Sequence, residues 1–80
     1  MPRFYFDLCN GDGFVEDEEG QDLPDAAAAR KAAVKNARSI ICDEISTKGK
    51  LDLASYIDIS NHDRTNVARL TFGDVVQVSY

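Results

Sequence analysis

Eighty residues with a hydrophobic share of 44% predict one small globular domain over 1–80, too short for two domains and too apolar for a disordered chain. The formal charge of −5 argues against nucleic acid as a partner, because phosphate binding draws on a cationic surface. No apolar run approaches the ~20 residues that cross a bilayer, so no membrane partner is expected either.

The chain opens on Phe4, Tyr5, Phe6 and Asp7, without the basic start and long apolar middle of a signal peptide, so the expected location is cytoplasmic. In that reducing setting Cys9 and Cys42 are expected as free thiols. A domain of this size has a stability margin of roughly 4–12 kcal/mol.

Arg3 to Asn10 alternates, with Phe4, Phe6 and Leu8 on one side and Arg3, Tyr5, Asp7 and Cys9 on the other. That is the pattern of a strand with one buried face. Asn10-Gly11-Asp12-Gly13 is a strong hairpin-turn signal, and a short returning strand is expected at about Phe14 to Asp17. Glu18-Glu19-Gly20 ends it, and Gln21-Asp22-Leu23 leads across to a helix.

The helix is expected from Pro24 to Ile45, rich in Ala and free of Gly. Pro24 fits a first-turn position, Asp22 and Asp25 suit the positive end of the dipole, and Gly49 is a natural left-handed stop. At ~100° per residue, Ala26, Ala29, Ala33, Val34, Ala37, Ile40, Ile41 and Ile45 gather on one side, small at the start and bulky at the end. Arg30 and Glu44 fall inside that arc and should reach round to solvent.

Leu51 and Leu53 are expected as loop anchors on the core edge. A strand from about Tyr56 to Ser60 follows, then a polar turn over 61–66, then a strand from Val67 to Phe72 with Ala68, Leu70 and Phe72 on one face. Gly73-Asp74 breaks it, and Val75 to Tyr80 is expected as a short last strand or an edge segment. Two hairpins joined by one helix give an α+β, two-layer sandwich, ββαββ, with the helix on one face of an antiparallel sheet. The pattern does not order the strands. It does require Phe4, Phe6, Ile57, Ile59 and Leu70 to lie beneath the helix.

The opening Met-Pro-Arg, the Asp17-Glu18-Glu19-Gly20 turn, Leu23-Pro24-Asp25 with the Ala-Ala-Arg helix start, Gly49-Lys50-Leu51-Asp52 and Leu70-Thr71-Phe72 resemble a family of short bacterial proteins of unknown function. That family is common in rhizobia and related alphaproteobacteria. The resemblance covers nearly the whole chain and implies this fold in a bacterial cytoplasm. It brings no catalytic residues with it.

Several clusters invite chemistry. Between Asp7 and Asp25 there are eight acids and no Lys or Arg. Calcium loops of the EF-hand type need oxygen ligands at positions one, three and five, and Phe14 falls on a ligand position from either plausible start. The plainer reading is a turn followed by a solvated acidic loop, with a weak cation site at Glu16 to Glu19 as the alternative. His62 is the sole histidine and sits in a polar turn, where an exposed residue is favoured over a zinc ligand shared with Cys9 and Cys42.

Cys42 shares a helical face with Lys31, Lys35 and Arg38, which could activate its thiol, although Asp43 and the negative end of the helix oppose this. The basic strip itself reads more simply as a solvated face.

Arg3, Tyr5, Tyr56 and Arg69 point away from the helix. Aromatic and Arg side chains on an uncovered face suit protein contacts, against the plainer reading of cross-strand pairing. The expectation is therefore a non-enzymatic protein-interaction or regulatory module, without cofactor, acting through the open sheet face or an edge strand. The uncharged tail offers a route to self-association. The alternatives are an acidic binder of metal or of a basic partner, and a redox-sensing thiol.

Overall fold

The computed structural model describes residues 1–11 and 13–79. Five strands and one helix follow one another: β1 (Arg3–Asn10), β2 (Gly13–Val15), β3 (Gln21–Asp22), α1 (Ala26–Lys48), β4 (Tyr56–Ser60) and β5 (Asn66–Thr71), closed by a 3₁₀ turn at Phe72–Asp74. All the pairings are antiparallel, in the order β2-β1-β4-β5, and β3 pairs the start of β1 on the same edge as β2. One helix packs on one face of this sheet, the α+β arrangement expected from the pattern.

The returning arm of the first hairpin differs from expectation. It is not one strand over Phe14 to Asp17 but two short pieces, with Val15 opposite Leu8 and Gln21 opposite Phe4. Between them Asp17 turns inward. Its carboxylate accepts the Phe6 N–H at 3.1 Å, Gly20 N–H at 3.0 Å and Glu19 N–H at 3.3 Å, while its own N–H donates to Asp7 Oδ1 at 2.8 Å. A side chain thus replaces the ladder acceptor that a continuous strand would have supplied. The Asp12 position of the expected turn lies outside the described residues.

The helix has shifted ends. Asp25 is the N-cap, its carboxylate accepting the Ala28 N–H at 2.8 Å, so Pro24 stands before the cap and not in the first turn. At the other end the helix runs on to Lys48. Gly49 then stops it with φ 62, donating its N–H to the Ile45 carbonyl.

Ala29, Ala33, Ala37 and Ile41 meet Phe4, Ile57, Ile59, Leu70, Phe72 and Val75 in the core. The three small Ala residues let the helix lie close on β4 and β5, the strands it covers. A helix of 23 residues is ~34 Å long, well beyond strands of five or six residues. Ile45, in the last turn of this long helix, is 50% exposed, although its position on the wheel placed it in the buried stripe.

Leu51 and Leu53 are likewise 42% and 38% exposed, so neither anchors the core edge. Phe72 does reach the core, but from the 3₁₀ turn, where its N–H donates to the Ser55 carbonyl. Residues 75–79 form no strand. Val75 is buried and Val76 partly so, with Arg38 Nε of α1 donating to the Val75 carbonyl at 2.9 Å, while 77–79 are exposed. The short last strand expected here is thus absent among the described residues, and Val75 and Val76 pack beside α1 instead. Tyr80 lies outside the described residues.

Candidate functional site

The face of the sheet away from α1 is built by strand parity, since ladder partners share a side. Tyr5 stands opposite Ser60, Asp7 opposite Asp58, and Cys9 opposite Tyr56. The last two rows extend outward: Asp58 meets Arg69, Tyr56 meets Thr71, and Cys9 meets Phe14. One row therefore reads Phe14, Cys9, Tyr56, Thr71 across four strands. Phe14 is 62% exposed, the largest apolar side chain on this face in contact with water.

Two arginines order the face. The Arg69 guanidinium lies 3.9 Å from the centroid of Tyr56 and forms a fork with Asp58, Nε to Oδ1 at 2.8 Å and Nη2 to Oδ2 at 3.3 Å. Arg64 does the same for Tyr5. It sits at φ 70 in the turn between β4 and β5, held by the Arg64 N–H to the Asn61 carbonyl, and folds back to 3.8 Å from the ring centroid. Its Nη1 is 3.4 Å from Asp7 Oδ1, and its Nη2 is 3.3 Å from Glu16 Oε1 and donates to the Asp17 carbonyl at 2.8 Å.

Asp7 and Asp58 would repel as directly opposed like charges. Each instead has its own arginine, and each arginine its own tyrosine two residues before the aspartate. Tyr5-Phe6-Asp7 and Tyr56-Ile57-Asp58 run antiparallel with Asp7 opposite Asp58, so the two Tyr-x-Asp segments are related by an approximate local two-fold axis through the sheet, while their arginines come from different elements.

Electrostatics follow the geometry. Tyr56 titrates above its ordinary 10.0, chiefly because a hydrogen bond with the Cys9 thiol favours the neutral phenol, while Arg69 pulls the other way. The hydrogen bond to Asp58 holds Arg69 more firmly protonated. In the turn, hydrogen bonds from Thr65 lower Asp63 below its ordinary 3.8.

Of the four residues expected to form the interaction face, Tyr56 and Arg69 are in contact and Tyr5 lies on the same side. Arg3 is turned to the edge, donating to Asp22 Oδ1 at 3.1 Å and to the Glu19 carbonyl at 2.6 Å. The sequence reading missed Arg64, which reaches Tyr5 only through the turn. A signal existed in the second Tyr-x-Asp unit, which left Asp7 without a counterpart to Arg69. It also missed the side on which Phe14 falls, which depends on the exact hairpin register.

Other candidates are scattered. Cys9 and Cys42 are free, one on the open face and the other exposed on the helix, with the sheet between them. His62 is exposed in its turn. Among the described residues, no His, Cys, Asp and Glu side chains come together in a group able to hold a metal ion. No helix among them is long and apolar enough to cross a membrane.

A family model described as a domain of unknown function, DUF6894, matches residues 3–73 of the chain. No curated protein and no solved structure matches it.

Proposed function

The chain belongs to the DUF6894 family of domains of unknown function, and we propose that it is a non-enzymatic protein-interaction module whose contact surface is the open face of the sheet. One observation carries the proposal: Phe14 stands 62% exposed in the same row as Cys9 and Tyr56, on a face without a covering element. Burying an exposed Phe yields about 1.5–3 kcal/mol, enough to anchor a contact. The flanking Arg–Tyr stacks are already paired within the chain, so they give a partner a flat, ordered platform at little entropic cost.

A protein partner suits this face better than nucleic acid. Both arginines spend their charge on Asp7 and Asp58, and the chain carries −5 overall. The setting in this proposal is a bacterial cytoplasm, where Cys9 and Cys42 stay reduced.

The test compares capture by the wild type, by Phe14→Asp and by Lys35→Glu, the last a charge change on the outer face of the helix. A protein retained by wild type and Lys35→Glu but lost from Phe14→Asp supports the open face. Equal retention by all three overturns it. If sedimentation shows a dimer that Phe14→Asp returns to monomer, the partner is a second copy.

A further inference from the structure

The link between β1 and β2 carries a chemically labile dipeptide. Asparagine is a thermolabile residue, because the backbone nitrogen of the next residue can attack its side-chain amide. A side chain on that next residue hinders the approach. The chain has four asparagines, and one of them, Asn10, is followed by glycine, which has no side chain to hinder it. Asn10 pairs with Gly13 at the end of the ladder, so residues 11 and 12 alone join the two strands.

The other three asparagines are held away from this reaction. Asn36 lies inside α1, whose regular backbone keeps the Ala37 nitrogen in the helix ladder. Asn61 is followed by His62, and its Oδ1 accepts the Asp63 N–H at 3.3 Å and the Thr65 N–H at 3.0 Å. Asn66 opens β5 and is followed by the branched Val67.

Asn10 is less protected. β2 ends the strand order, is three residues long and is exposed along its whole length. Short edge pairings of this kind open at a small fraction of the global unfolding free energy, and opening releases residues 10 and 11 from strand geometry. Asn10 also borders a cavity of about 30 Å³ with polar walls from Glu44, Lys50, Asp52 and Ser55, which has room for a water molecule.

We propose that Asn10 is a site of spontaneous deamidation, and that its isoaspartyl product releases Phe14 from the open face. The Gly11 nitrogen attacks Asn10 Cγ, the new C–N bond replaces the bond to the side-chain nitrogen, and ammonia leaves with the Gly11 amide proton. Water then opens the resulting succinimide. Cleavage at Cγ leaves aspartate, whereas cleavage at the main-chain carbonyl leaves isoaspartate, with the chain running through Cβ and Cγ. The second product adds a methylene to a link of two residues, so position 10 no longer matches Gly13. The adjoining Cys9–Phe14 pair, which sets the side on which Phe14 lies, is then lost.

Mass and amide shifts report this chemistry without any partner, so its failure is distinct from failure of the contact surface. The folded full chain is aged in warm, mildly alkaline buffer, and fragment mass spectrometry locates each gain of one mass unit. Isomerisation of Asp12, also followed by glycine, leaves the mass unchanged. Asn10 should convert at least tenfold faster than Asn36, Asn61 and Asn66. Gly11→Ala is the control, since Gly11 is not left-handed and an added Cβ would meet nothing closer than Asp52 Oδ2 at 3.5 Å. That variant should keep the wild-type circular dichroism and slow the conversion at least tenfold.

The isolated isoaspartyl form should lose the cross-strand amide contacts between Cys9 and Phe14 while β4 and β5 keep theirs. Conversion of Asn10 no faster than that of the other asparagines, or an equal rate in Gly11→Ala, would overturn the proposal. So would an isoaspartyl form with the Cys9–Phe14 pairing intact.

Discussion

Replacing Asp17 by Ala removes the acceptor for three backbone N–H groups at once. The most costly of these is the Phe6 N–H, on a half-buried stretch of β1 that neither β2 nor β3 reaches. A hydrogen bond to a charged acceptor contributes ~1.5–3 kcal/mol, and water can replace part of it at a half-buried site. The two turn bonds to Glu19 and Gly20 add about 0.5–1 kcal/mol together, giving a loss of ~2–4 kcal/mol from a margin of roughly 4–12.

At ~4–8 °C per kcal/mol for a domain of this size, the melting midpoint should fall by about 8–32 °C. Asp17→Asn keeps one oxygen and should lose about half as much. Urea unfolding followed by circular dichroism at fixed pH measures both, with the midpoint moving and the slope unchanged. A loss below ~0.5 kcal/mol for Asp17→Ala would refute the idea that this carboxylate substitutes for a strand.

The two left-handed glycines around the helix should respond differently to alanine. A Cβ at Gly20 (φ 73) would meet the Phe4 carbonyl oxygen at 2.9 Å, whereas at Gly49 (φ 62) it meets open space. Gly49→Ala should therefore cost ~1 kcal/mol and Gly20→Ala at least twice that, as read from thermal unfolding. Arg64→Ala should cost ~0.5–1.5 kcal/mol through the lost Tyr5 stack and Asp7 pair, and a double-mutant cycle with Tyr5→Leu should recover most of it as coupling.

Tyrosine absorbance followed against pH should show Tyr56 ionising above 10.0, with Cys9→Ala moving the midpoint down. Because the folded value is raised, the Tyr56 contribution to stability is complete below 10.0 and disappears as pH climbs through the folded midpoint.

The fold was legible where one rule acted alone. Alternation assigned Phe4, Ile57, Ile59 and Leu70 inward, and all four are buried. Gly49 stopped the helix because only a left-handed residue could. The pattern was less informative where two effects competed. Pro24 and Asp25 both suit a helix start, and the side-chain acceptor of Asp25 decided the cap. Ile45 keeps the helical period of the core, yet in the last turn of the helix it is 50% exposed.

The candidate site was half legible. Tyr5 and Tyr56 follow from strand parity, while the arginine over Tyr5 comes from a turn whose left-handed Arg64 no periodicity reports. Sequence pattern identifies which residues need cover, and the strand order decides which of them the helix reaches.

The most direct test of the one-sided arrangement is a soluble paramagnetic probe added to labelled protein, with broadening read residue by residue. Phe14 should broaden most on the open face, the rings of Tyr5 and Tyr56 to an intermediate degree, and Ile59 and Leu70 hardly at all. Broad Ile59 and Leu70 signals beside sharp Tyr56 and Phe14 would mean that the helix lies on the other side of the sheet, contradicting the proposed open face.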